Sequence, residues 1–254
     1  MDSATTVGTI DWSRRTGGRL GPAERRALAG DLARAHLSNA VGRLRMAAHL
    51  HPGRNAYVAP SRLDVPESPL TRAATQTAAR ILPTTLLAHS QRAYLYGRAL
   101  GELEGVDADA ELLYAAALLH DTGLVLAAGT DDFTLTSARV ARGVAEHAGL
   151  STAATETLQT AVTMHHSPRV RLDAGPVAYL MSAGAGVDVV GVRSWELPRS
   201  VLERAVVDHP RDGFKAFFTQ AWANEAARVP EGRARLLRRY GAFSTAIRLA
   251  PFSE

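Results

Sequence analysis

Apolar residues in this chain recur every three to four positions over long stretches and nowhere alternate strictly, a pattern of helix upon helix. Spans of about 70–81, 84–103, 107–120, 134–149, 151–165, 174–188, 198–207, 213–227 and 231–242 carry helical periodicity or composition. Breakers at Pro83, Gly105, Gly123, Gly149, Pro168, Gly175, Pro198, Pro210 and Pro230 separate them. Ahead of these, Leu28, Leu32, Ala35, Leu37, Val41, Leu44 and Met46 predict one long amphipathic helix, or two, entered at Pro22. Residues 51–69 hold Pro52, Gly53, Pro60, Pro66 and Pro69 and read as a loop, the best boundary in the chain. Residues 1–21 are polar and Gly-rich and are expected to be loose. The β-rich piece Val187–Val192 closes a small-residue helix, and its state is left open. The fold class expected is all-α, divided into an N-terminal tail and helical appendage (1–60), a main helical domain (61–228) and a C-terminal helix and tail (229–254).

Composition narrows the classes. With 254 residues, 46% hydrophobic and 21% charged, the chain suits one large globular domain with an appendage. No run approaches the ~18 consecutive apolar residues of a membrane span. Met1–Thr6 lacks the basic-then-apolar pattern of a signal peptide, so the cytoplasm is the expected location. There is no Cys, which excludes disulfides and thiolate metal sites and leaves nitrogen and oxygen ligands for any metal. The net charge of +4 comes almost wholly from Arg, with Lys215 the sole Lys. The densest patch, Arg233 to Arg239, reads as a solvated helix face, so no nucleic-acid partner is expected. A small-molecule substrate and a homo-oligomer contact through the N-terminal helix are the partners expected.

The chemistry concentrates at His120-Asp121, which closes the apolar run Leu112–Leu119 just before Thr122-Gly123. His89, His165, His166 and Asp188 occupy similar settings, and imidazoles with carboxylates gathered from helix ends are what a metal requires. Helices 84–103 and 107–120 should pack as an antiparallel hairpin. His89 lies roughly 12 residues before their connection and His120 roughly 13 after it, so at about 1.5 Å per residue they come level. His165 and His166 point about 100° apart, so one of the two should reach a given site. Asp188, in an apolar segment, needs a metal, His or Arg partner.

These motifs resemble the HD superfamily of metal-dependent hydrolases, nearest its cyanamide-hydratase-like branch. The likeness runs through Pro66-Glu67-Ser68-Pro69, His89-Ser90-x-Arg92-x-Tyr94, His120-Asp121-Thr122-Gly123, Val187–Gly191 and Pro210–Lys215, over about residues 65–225. It implies an all-α HD-domain bundle and the metal ligands His89, His120, Asp121 and Asp188. Where dinuclear relatives add a His this sequence has Ser137, which favours a single divalent metal, zinc first and Fe, Mn or Ni as alternatives. His147 is a weaker candidate for that position. Many phosphohydrolase relatives carry a Lys where this chain has Leu124, which weakens a phosphate substrate, although Arg92, Arg169, Arg171 or Arg193 could substitute.

The function expected is an enzyme that uses metal-activated water to hydrate or hydrolyse a nitrile-like or amide-like carbon. Asp121 or Asp188 would accept the water's proton, and His165 or His166 would donate one. Arg92, Tyr94, Thr122 and Arg193 are the candidate substrate-binding residues. Phosphohydrolase activity on a nucleotide or phosphomonoester, and a non-catalytic ligand-binding role, are the alternatives.

Overall fold

The computed structural model describes residues 6–254. Met1–Thr5, and the leader and location readings that rest on them, lie outside the described residues. Among the described residues there are helices and no strands, as the periodicity predicts. No helix is long and apolar enough to cross a membrane.

The first departure comes at once. α1 (Ile10–Thr16) stands where a loose segment is expected, opened by the Thr9 side chain accepting from the Trp12 amide at 3.3 Å. Trp12 and Ser13 are fully buried. Seven residues are too few to show a period, so only the indole hinted at burial. α2 (Pro22–Ala47) is one continuous helix. Its amphipathic reading holds for the first half alone: Leu28 and Leu32 are buried, while Leu37 and Leu44 are exposed. The 51–69 segment is a loop with two short 3-10 turns, at Pro52–Arg54 and Pro60–Leu63.

The body follows as α3 (Pro69–Ile81), α4 (Thr84–Glu104), α5 (Ala110–Leu119) and the short α6 (Thr122–Leu126). Next come α7 (Phe133–His147), α8 (Thr152–Met164), α9 (Pro176–Val190), α10 (Arg199–Asp208), α11 (Phe214–Arg228), α12 (Arg233–Tyr240) and α13 (Phe243–Arg248). α5 is the hub, because every residue from Leu112 to Leu119 is buried. It packs on α3, α4, α7, α8 and α9. Each fully buried Leu, such as Leu113, Leu118 and Leu119, contributes roughly 1.5–3 kcal/mol. The tightest pairing is α4 on α9. A Cβ on Gly184 would stand 2.0 Å from the Ala93 carbonyl oxygen, and one on Gly97 2.7 Å from that of Leu180. Of the stretch Val187–Val192 left open by its composition, Val187–Val190 is the last turn of α9, closed by Gly191 at φ 72°, and Val192 lies in the turn beyond.

The Arg-rich patch divides. Arg235, Arg238 and Arg239 are exposed as expected, but Arg233 is fully buried. Its guanidinium donates to the Thr163 carbonyl at 2.7 Å and reaches Asp132 at 3.4 Å.

Candidate metal centre

Three of the predicted ligands meet. α5 ends on His120, the turn between α5 and α6 carries Asp121, and α4 brings His89 level with both. One ligand atom from each side chain lies within 4.8 Å of the others. His89 Nε2 is 3.2 Å from His120 Nε2, and Asp121 Oδ2 is 3.2 Å from His120 Nε2 and 3.6 Å from His89 Nε2. All three residues have no exposure.

Neighbouring groups set the tautomers. His120 Nδ1 lies 2.7 Å from the Ala117 carbonyl oxygen, and His165 Nδ1 2.7 Å from that of Val162. A carbonyl only accepts, so each Nδ1 carries the proton and each neutral ring presents its Nε2 lone pair. His89 Nδ1 lies 2.7 Å from Asp188 Oδ2 and is held the same way. Two nitrogen lone pairs and the Asp121 carboxylate, whose oxygens have no hydrogen-bond donor, therefore converge. Acceptors facing acceptors in a buried space fit a cation, and imidazoles whose far N–H is held by a carbonyl or carboxylate are the usual form of metal-binding His. These residues can hold a divalent cation.

Electrostatics divide the histidines. Burial holds His89 and His165 below the ordinary imidazole range. Burial pulls His120 down as well, but the adjacent Asp121 charge, helped by the Ala117 carbonyl, outweighs it and the net displacement is upward. For Asp121 burial acts upward, and His120 with His165 overcomes it, leaving the carboxyl well below its usual range.

Asp188, expected as a fourth ligand, stands behind His89 on the side away from the cluster. Arg92 Nε and Nη2 donate to its two oxygens at 2.7 and 2.9 Å, and Arg211 also bonds it. These partners outweigh the upward push of burial and keep it ionised. The partner that its apolar surroundings demanded is thus two guanidiniums and an imidazole. Arg211 was visible in the sequence only as part of a resemblance, since nothing local marks it as buried.

The neighbouring histidines divide the space. His165 Nε2 lies 3.5 Å from Asp121 Oδ1. His166 points away from Asp121 but still lines the cavity, stacking on Phe133 at 5.1 Å between ring centroids, 3.7 Å from Asp132 through Nε2. Neither His166 nitrogen has a hydrogen bond, and burial together with Arg233 holds the ring well below the ordinary imidazole range.

Of the expected substrate-binding residues, three lie away from the cavity beside the centre. Arg92 is consumed by Asp188 and the carbonyls of His209 and Pro210. Tyr94 donates to the Asp64 carbonyl at 3.0 Å, and Thr122 to that of Leu119 at 2.8 Å. Arg193 does line the cavity, tied to Glu196 at 2.6 Å and to Glu104. Ser137 accepts the Gly123 amide at 2.8 Å and fixes the turn after Asp121, while His147 is exposed at the end of α7. Trp195 packs on Gly42 of α2.

The centre opens on a cavity of about 1100 Å³ reaching to α2, the 167–173 segment, α9 and α13. Phe218 and Trp222 of α11 wall it beside the histidines. Phe214, Phe218 and Trp222 recur four residues apart, a stripe that could have been read as one helix face.

An all-α bundle presenting a buried His-His-Asp cluster at helix ends is a candidate metal-binding enzyme. Residues 86–207, from α4 to α10 and including the whole cluster, match the family model described as HD domain, which supports the HD superfamily. That family is typically one of metal-dependent hydrolases. No curated protein matches the chain.

Proposed function

We propose that this protein hydrates or hydrolyses a nitrile-like or amide-like carbon with water activated at the His89–His120–Asp121 centre, as the cyanamide-hydratase-like resemblance implies. The carrying observation is that, among the described residues, every arginine lining the cavity is paired with a carboxylate. Arg92 and Arg211 are bound to Asp188, and Leu124 stands where a Lys would serve. At the mouth, Arg34 and Arg169 reach Asp31 at 3.0 and 4.0 Å, and Arg171 reaches Asp173 at 3.2 Å.

His89, His120 and Asp121 would hold a divalent cation, which would supply Lewis acidity and lower the pKa of a bound water. Two imidazoles with one carboxylate suit zinc, and Fe(II), Mn or Ni accept the same donors. The chain's residues handle the protons. Asp188 and the Ala117 carbonyl orient the His89 and His120 rings. Asp121 Oδ1 and His165 Nε2 form a relay that takes a proton from water and delivers it to the substrate nitrogen. For a nitrile, the C–O bond forms as one C–N π pair moves to nitrogen, which is protonated; a proton shift then yields the amide. His166, with unsatisfied nitrogens beside the cavity, serves as a hydrogen-bonding contact for the polar head.

Elemental analysis and turnover assays on the zinc-loaded protein test this reading. The expected outcome is about one metal per chain, lost in a His120→Ala/Asp121→Ala double variant, with turnover of cyanamide, nitriles or amides. Phosphatase activity without any of these would overturn it, and failure to bind metal would leave a ligand-binding role.

A further inference from the structure

The cavity is much larger than the reaction at the metal centre requires. Its volume of about 1100 Å³ exceeds the roughly 300–1,000 Å³ that encloses drug-sized ligands. Cyanamide, with three heavy atoms, needs on the order of 100 Å³, about three water volumes.

The walls combine charged, polar and apolar side chains. Polar groups stand at the metal centre, and the mouth carries the paired charges already described. Beside these, an apolar lining is built by Leu32 from α2, Val189 from α9, Phe218 and Trp222 from α11, Leu237 from α12 and Phe243 from α13, with Ser38, Asn39 and Ser182 among its neighbours. The rings form a continuous ladder from the ligand shell outward. Centroids are 5.5 Å apart for His89 and Phe218, 5.6 Å for Phe218 and Trp222, and 4.7 Å for Trp222 and Phe243. Across from α11, α9 contributes small residues, Ala185 and Gly186, which leave the width open.

We infer that the substrate carries its reacting nitrile- or amide-type head on an elongated apolar body, an alkyl chain or ring system lying along this ladder toward α13. The inference rests on the hydration reading for the head alone, since the apolar body is argued from the walls. Around the cavity Arg34, Arg169, Arg171 and Arg193 stand with Asp31, Glu104, Asp173 and Glu196, four of each sign, which suits a neutral molecule.

The test uses the full-length, zinc-loaded protein and two series of equal lengths, n-alkyl nitriles as substrates and n-alkyl amides from acetamide to decanamide as ligands. Amide binding is followed by calorimetry and tryptophan emission, which Trp222 should report. Amide affinity and nitrile kcat/KM should each rise about fourfold per methylene until the cavity is filled. Ala246→Trp, which narrows the far end on α13, should weaken decanamide at least tenfold and leave acetamide binding and metal content unchanged. Ala35→Phe narrows the α2 wall and provides the same comparison should the first variant fold poorly. Amide binding independent of length, or short nitriles turned over as well as long ones, would overturn the inference. Length-dependent amide binding without nitrile turnover would support it and overturn the hydration reading instead.

Discussion

Two guanidiniums and an imidazole share one carboxylate with no exposure at Asp188, and such a group is costly to unpair. Asp188→Asn would leave Arg92 and Arg211 buried beside a neutral amide, and removing one partner of a buried ion network costs about 3–5 kcal/mol. It would also weaken the acceptor that orients His89, lowering metal affinity about 10- to 100-fold. Chemical denaturation and metal titration should show the two losses together. Protonation supplies a second prediction. His89, His165 and His166 have folded pKa values below the unfolded imidazole value, so as pH falls below about 6.5 the unfolded chain takes up protons first and stability drops. His120 is displaced upward, and its contribution runs the other way, present in acid and lost as pH rises through its folded value. With three groups against one, denaturation of the metal-free protein between pH 5 and 8 should show falling stability toward acid. The fall should steepen below about pH 4, where the unfolded carboxyls take up protons while Asp121 and Asp188 stay ionised in the folded chain. At this scale the sequence was legible for His89, His120 and Asp121, because helix arithmetic alone brings them level. It could not show that His165 faces Asp121 while His166 faces Phe133, since that depends on the rotation of α8.

Among the elements, α4 and α9 are held at a separation only glycine permits, and this pairing puts Asp188 behind His89. Gly184→Ala would drive a methyl to 2.0 Å from the Ala93 carbonyl oxygen, forcing the helices apart at a cost of about 1–3 kcal/mol or more. Metal affinity should fall with it. Gly143→Ala is the control, because its Cβ would meet nothing within 4 Å. In the middle of α7 it should stabilise by roughly 0.5–1 kcal/mol. Melting temperatures of the two variants should therefore move in opposite directions. The long helices were readable from prolines, glycines and period, to within a few residues at each end. α1, α6 and α13 were not, because five to seven residues hold less than two full turns of pattern. The cavity wall escaped for a different reason: α2, α9, α11, α12 and α13 build it together, and no segment alone records its neighbours.

Over the whole molecule, the amino-terminal segment is part of the core. Trp12 Nε1 donates to Glu24 at 2.7 Å, Arg233 lies over the Trp12 ring, and the Asp132 amide donates to the Gly17 carbonyl at 2.9 Å. Removing residues 1–21 should therefore cost several kcal/mol, by analogy with a large aromatic lost from a core, and thermal unfolding will measure it. Loss of a loose tail would leave the melting temperature in place. The final consequence follows from where the ligands sit. His120 and Asp121 are neighbours on one backbone and move together, whereas His89 arrives on a separate helix. A cation bound among them is a clasp between α4 and the end of α5, and a clasp that grips only the folded chain adds about 2.7 kcal/mol at a hundredfold excess over its dissociation constant. Chelation should then lower the melting temperature as well as the activity. In a cell, the lifetime of the chain would follow the supply of its metal, so that scarcity removes idle copies by degradation and leaves those already charged.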